Sequence, residues 1–482
     1  MTLIDRAATP APHTARGVLT GVGHLGQTTP PAPPAGRLAF LARRMWTYWL
    51  GCAGFALILA TTTGLGPHRV WGACAAVGYG TAAVFAVRNS PRRAAWAALV
   101  GAVLVPLAVL VVSGEAQSEV GVVERSAALL LHSGSPYLPH PVHTVDYDPY
   151  LPGMALFGVP RALFGNGPLT DARVWFCLTF LACMGVAAGF GRRQRRSDGV
   201  LSLAAFPAVA LPLAVGGVDL PVVALMCLGL ALAGRGGSGT AAGVAMGAAA
   251  ALKWTAWPLL PVGLVLLAVT AGRRPALRAG LAALSVAATA VVPVALADPH
   301  AFVEHVVLFP LGEGGVRSPA TSPLPGRLLA EYVPDGAVLA TAGLVVAAVG
   351  VAVSLLIRPP RTVRAAADRL AVGLGLAICL IPATRFGYLV LPLVLAGWFR
   401  YPTEKGWGLL RRGGRSARVS GRRRHGPLTL RHRRCGGAPG GGGRTAHEAG
   451  AYDVTAPRRP GAWLNRAPCA GVHGILIIHQ QI

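Results

Sequence analysis

Between positions 47 and 399 the chain alternates apolar stretches with short polar or basic breaks, and the longer stretches approach twenty residues, the length that crosses a hydrocarbon core. The pattern predicts membrane-spanning helices at 47–65, 70–87, 94–113, 172–190, 201–216, 220–233, 241–254, 259–270, 277–297, 337–357, 370–381 and 386–399. Short connections make sequential segments antiparallel neighbours, and Gly and Ala at many positions allow close helix approach. The expected fold is an all-α polytopic membrane protein with about twelve transmembrane helices.

Charge fixes the expected orientation. Basic residues fall at every second junction: Arg37/Arg43/Arg44, Arg88/Arg92/Arg93, Arg192/Arg193/Arg195/Arg196, Arg235, Arg273/Arg274/Arg278, Arg358/Arg361/Arg364 and the stretch after Arg400. The alternate junctions carry acids: the first long loop, Asp219, and a segment with Asp298, Glu304, Glu313, Glu331 and Asp335. By the positive-inside rule the basic junctions and both termini are cytoplasmic, and loops 114–171 and 298–336 face outward from a plasma (inner) membrane. The domain reading is a disordered, Pro/Thr/Ala-rich cytoplasmic segment 1–36, a multi-span membrane domain 37–402, and a disordered basic Gly/Arg-rich cytoplasmic tail 403–482.

The chain is 53% hydrophobic and only 13% charged, yet its net charge is +26. Residues 405–466 hold fifteen of the Lys and Arg, and no aromatic-interleaved basic domain accompanies them, so the charge points to lipid rather than to nucleic acid. Cys52, Cys74, Cys177, Cys183, Cys227 and Cys379 lie within apolar spans and Cys435 and Cys469 in the tail, which is no disulfide framework.

Candidate chemistry concentrates in the break from Gly114 to Asp171, which holds Glu115, Glu119, Glu124, His140, His143, Asp146, Tyr147, Asp148, Tyr150 and Arg161. Ionisable groups beside a bilayer are costly and read as functional by default. Val120, Val123, Ala127, Leu130 and Leu131 are spaced for a helix lying along the interface. Gly134-Ser135-Pro136-Tyr137 then turns the chain, a Pro-rich strip stays extended to Pro152, and residues 153–164 return to apolar helix.

This arrangement resembles glycosyltransferase family 87 of the glycosyltransferase-C superfamily. The residues that carry the likeness are Glu119-Val120-Gly121-Val122-Val123, then Gly134 to Tyr137, then Tyr147-Asp148-Pro149-Tyr150-Leu151-Pro152, with Lys253 before Pro258 and Arg385-Phe386-Gly387-Tyr388 as later landmarks, in order across 94–399. The sequence has Glu119 where the family usually has Asp, and Val123 where it has Tyr. The resemblance implies a glycosyltransferase-C-like membrane fold and a hexosyltransferase reaction. A sugar, mannose by analogy, would move with inversion from a polyprenyl-phosphate donor to an extracytoplasmic glycan or glycolipid.

Such a reaction needs a carboxylate general base within reach of the acceptor hydroxyl. Glu119 is the first candidate and Glu124 the second, although five residues on it falls on a different helix face. A leaving phosphate calls for cationic donors, and Lys253, inside an apolar run, leads Arg385 and Arg161 for that part. Asp146 and Asp148 flank Tyr147 and offer hydrogen bonds to sugar hydroxyls beneath a covering ring, while the likeness adds Tyr137, Tyr150 and Tyr388 as substrate contacts. His140 and His143 have no third convergent ligand, so neither a metal nor a cofactor is expected. Asp219 is read as a cap on the helix that follows it. A transporter or flippase, or a non-catalytic membrane scaffold, are the competing classes, and no internal repeat favours the first.

Overall fold

The computed structural model describes residues 45–189, 194–236, 239–316 and 320–400, which form helices and loops with one isolated β-bridge between Thr321 and Thr384. The segments 1–36 and 403–482, and the clusters around Arg43 and Arg192, lie outside the described residues. The helices are α1 (Met45–Thr62), α2 (Gly66–Val87), α3 (Pro91–Ser113), α4 (Ser118–Ser133), α5 (Val159–Phe164), α6 (Ala172–Ala188), α7 (Gln194–Ala204), α8 (Pro207–Val215), α9 (Asp219–Gly234), α10 (Gly239–Leu252), α11 (Leu259–Thr270), α12 (Arg273–Ala297), α13 (Pro299–Val303), α14 (Pro325–Tyr332), α15 (Gly336–Ile357), α16 (Val363–Leu380) and α17 (Val390–Trp398).

All the expected apolar stretches coincide with one of these helices or with a bent pair. By length and apolar character α1, α2, α3, α12 and α15 are long enough to cross a bilayer, and α7 with α8, bent by 72°, makes a sixth candidate. Among the described residues that makes six candidates at most, against the twelve expected. The shorter apolar helices α6, α9 and α10 are also the most enclosed, with both Val222 and Val223 of α9 and Met246 and Ala249 of α10 fully buried. A helix sheathed by its neighbours has no need to match the thickness of lipid.

Contacts between distant junctions sort into two sets. Arg92 meets Asp198 at 3.7 Å, Arg400 meets Asp368 at 2.9 Å, and Arg235 donates to the carbonyls of Val186 and Ala187. These are the junctions with the basic clusters. The acid-bearing junctions join one another instead: the Gln117 amide donates to the Val215 carbonyl, Lys253 pairs with Asp219, Leu151 N–H donates to the Leu252 carbonyl, and Tyr147 reaches Glu304. Successive helices therefore run alternately between a basic end and an acid-bearing end.

Small residues set the closest packing. Gly239, Gly243 and Gly247 face Pro275, Ala279 and Ala283 of α12 at successive turns, and a Cβ on Gly243 would lie 2.2 Å from the Ala279 carbonyl oxygen. At the acid-bearing end the chain is pinned by Arg173 of α6, which is 1% exposed and binds both Asp171 oxygens while donating to the carbonyls of Leu110 and Glu115. This ties the exit of α3 to the start of α6, the two ends of the long loop.

Candidate active site

The long loop folds back onto the bundle rather than standing off it. Helix α4 buries Val120, Val122, Val123, Ser126 and Ala127 against its neighbours, so the helix expected along the interface is part of the packed body, and of its apolar side chains only Leu131 is exposed. Gly153 lets the strip after α4 approach α10 so closely that a Cβ there would sit 2.7 Å from the Ala251 carbonyl oxygen. The residues around Arg385 are held by the second long loop: Ser322 N–H donates to the Thr384 carbonyl, Thr384 N–H to the Ala320 carbonyl, and Phe386 N–H to the Ser322 hydroxyl.

Where these pieces meet there is a cavity of about 210 Å³ lined by Glu119, Tyr147, Tyr150, Lys253, Arg385 and Tyr388, with Leu344, Leu374, Ile378 and Ile381 on an apolar wall. Glu119 faces it from the first turn of α4, and its Oε1 accepts from the Arg385 guanidinium at 2.9 Å. Burial pushes the Glu119 carboxyl above the ordinary carboxylate range, against the opposing pull of Arg385 and then Lys253. Lys253 stands just past α10, where its Nζ donates to Asp219 Oδ1 at 2.7 Å and lies over the rings of Tyr388 and Tyr150, 4.7 and 5.5 Å from their centroids. Arg385 with Glu119 and Lys253 with Asp219 thus form two ion pairs at the cavity, Asp219 standing outside its lining.

The other sequence candidates are placed elsewhere. Glu124 turns away from the cavity, accepting from Arg161 at 3.2 Å and from the Ala172 amide at 3.1 Å, so this pair fastens the loop to the start of α6. Asp146 accepts from the amides of Val142 and His143 and closes its own turn. Tyr137 is buried behind the cavity wall with its hydroxyl on the Tyr150 carbonyl. Asp148 is buried too, accepting from the Ser126 hydroxyl at 2.7 Å and the Tyr150 amide at 3.0 Å. Among the described residues no group of three or more His, Cys, Asp or Glu is arranged to hold a metal.

Three participants escaped the sequence reading. Asp219 heads α9, but its carboxylate goes to Lys253 instead of capping the helix amides. Glu304 and His305 sit on a π-turn, Glu304–Leu308, in the second long loop. Glu304 accepts from the Tyr147 hydroxyl at 2.9 Å, and Tyr147 stacks on Phe309 with centroids 4.2 Å apart. His305 Nδ1 accepts from the Asp148 amide, which leaves Nε2–H to donate to the Leu138 carbonyl at 2.9 Å and fixes a neutral tautomer. Burial lowers the His305 pKa in the same sense. Acids in this second loop were visible in sequence, but nothing local to them signals a partner 157 residues away.

Burial raises Asp148 from its ordinary 3.8 to about 7. The folded chain therefore keeps a proton that the unfolded chain has already lost between those values. Stability attributable to Asp148 is complete below about pH 4 and declines as pH rises towards 7, by roughly 4 kcal/mol if the full shift is realised. Asp148→Asn carries no charge and retains both contacts with its Oδ1 accepting from the Tyr150 amide and its Nδ2 donating to Ser126 Oγ, so its melting temperature in detergent should lose this decline and exceed that of wild type at pH 8. Parallel pH profiles for the two proteins would remove Asp148 from the account.

Among the described residues, five helices long and apolar enough to cross a bilayer and a charge-lined cavity at the acid-bearing end fit a polytopic membrane protein. Residues 149–382 match the family model described as glycosyltransferase family 87, and the match supports the family that the sequence resembles. The match indicates a membrane glycosyltransferase. The matched stretch includes Tyr150, Arg161 and Lys253 but not Glu119, Arg385 or Tyr388, so it is narrower than the likeness over 94–399. A search of curated proteins and a search of solved structures each returned no match.

Proposed function

We propose that the chain transfers a sugar, mannose by family analogy, from a polyprenyl-phosphate donor to an extracytoplasmic glycan or glycolipid. The observation that carries this reading is the composition of one cavity: a carboxylate beside two cations, with an apolar wall opposite. A nucleotide-sugar donor would leave that wall unused, whereas a phosphate-linked isoprenoid supplies both an anion and a hydrocarbon. Glu119 takes the proton of the acceptor hydroxyl as its oxygen bonds to the anomeric carbon. The carbon–oxygen bond to phosphate breaks on the opposite face, so the configuration inverts, and Arg385 and Lys253 balance the negative charge that collects on the leaving phosphate. Tyr147, Tyr150 and Tyr388 offer ring faces and hydroxyls to the sugar.

The reading also puts the acid-bearing end outside the plasma membrane and both termini in the cytoplasm, because the basic clusters lie at the other end. The test is donor class. Membranes containing the chain should transfer radiolabelled sugar from a polyprenyl-phosphate donor and not from the matching nucleotide sugar when synthesis of the lipid-linked form is blocked. Transfer from the nucleotide sugar alone would overturn the proposal.

A further inference from the structure

At the basic end of the bundle, remote from the cavity, α11 and α12 enclose an open groove lined by Leu264, Val265, Ala268, Ala276, Leu277 and Gly280, and closed at its mouth by Arg273 and Arg274. Helix α12 is turned outward: Leu277, Leu281 and Leu284 are each more than half exposed. Arg273 and Arg274 are exposed and have no acidic partner among the described residues. They open the first turn of a 25-residue helix whose N-cap, Gly272, brings no side-chain acceptor, so both arginines stand at the positive end of the α12 dipole. The bare Cα of Gly280 keeps the groove floor open, with a Cβ there coming to 3.6 Å from both methyls of Leu264.

We infer that this groove binds one anionic phospholipid of the leaflet facing the basic junctions, its phosphate held by Arg273, Arg274 and the start of α12, and an acyl chain lying against Leu264, Val265 and Leu277. Charge complementarity selects the occupant. Two guanidinium groups with no acidic partner among the described residues, at a helix N-terminus, recognise a phosphate, and the continuous apolar floor receives hydrocarbon, which neither a soluble phosphate nor an uncharged lipid would satisfy at both ends. At other basic junctions part of the charge is already engaged: Arg400 and Arg364 pair with Asp368, Arg92 pairs with Asp198, and Arg235 donates to the carbonyls of Val186 and Ala187. The site is independent of the sugar-transfer reading.

The probe is phosphatidylglycerol added to the full-length protein in detergent, with phosphatidylcholine as the neutral control and bound lipid counted by native mass spectrometry. Wild type should retain phosphatidylglycerol at least fivefold over phosphatidylcholine, and the Arg273→Gln/Arg274→Gln variant should lose that preference while melting as wild type. Gly280→Leu, which fills the floor, should weaken retention of both lipids. Arg358→Gln/Arg361→Gln should leave retention unchanged. Equal retention of the two lipids by wild type, an unaltered preference in the Arg273/Arg274 variant, or an equal loss in the Arg358/Arg361 variant would each overturn the inference, the last by reducing it to diffuse attraction.

Discussion

Lys253→Gln should destabilise the folded chain by about 3–5 kcal/mol, because it leaves Asp219 in a buried position with no counter-charge. Asp219→Asn should cost a comparable amount by stranding the ammonium, with only the rings of Tyr388 and Tyr150 as compensation. Removing both charges in Lys253→Met/Asp219→Leu should recover most of that loss, since the penalty of a buried pair lies in breaking it. Denaturant unfolding of the three variants in detergent measures this. Transfer activity then separates two roles for Lys253. If it only braces α10 against α9, the double variant regains activity with stability; if it also balances the donor phosphate, the double variant folds but transfers at least tenfold more slowly.

The same residue shows what a sequence can reveal. Lys253 is conspicuous because a cation inside an apolar run has few explanations, and it does stand in the cavity. Its partner Asp219 is 34 residues away in another helix, at a position where an Asp looks like a routine cap. Apolar stretches could be read as helices because their period and length report on lipid and on neighbouring helices, and each of them coincides with one. Their number as full crossings could not, because α9 and α10 shorten where they are surrounded by protein, and hydropathy does not distinguish a sheath of helices from a sheath of lipid.

The assignment of faces on α4 followed the same logic with better success. Five residues along a helix correspond to a rotation of roughly 140° from the starting face, and Glu119 and Glu124 are indeed divided, one on the cavity with Arg385 and the other on Arg161. Which face would meet the cavity was not legible. It depends on Arg385, 266 residues further on, being held in place by the pairing of 320–322 with Thr384. The roles offered for Asp146 and Asp148 illustrate the opposite difficulty: short loops rich in Asp bind sugars and also bind their own amides, and here both carboxylates accept from their own loop.

Glu119→Gln should lower sugar transfer by about 10²–10⁴-fold while leaving the fold in place. Gln is nearly the same size and its amide oxygen can still accept from Arg385, so the cavity keeps its shape; what it loses is the capacity to take a proton. Glu119→Asp, which restores the residue type usual in the family, shortens the side chain by one methylene and lengthens the reach to Arg385. It should retain far more activity than Glu119→Gln. The two substitutions together distinguish a base from a brace: a bracing role predicts that Gln is tolerated better than Asp, because Gln preserves length. Arg385→Gln supplies the pH signature. Removing the cation leaves burial unopposed at that side, so the Glu119 carboxyl rises further and the acid limb of kcat/KM against pH should move upward by about 1 unit or more. An acid limb that stays put in Arg385→Gln, or full transfer by Glu119→Gln, would take Glu119 out of the proton-accepting role.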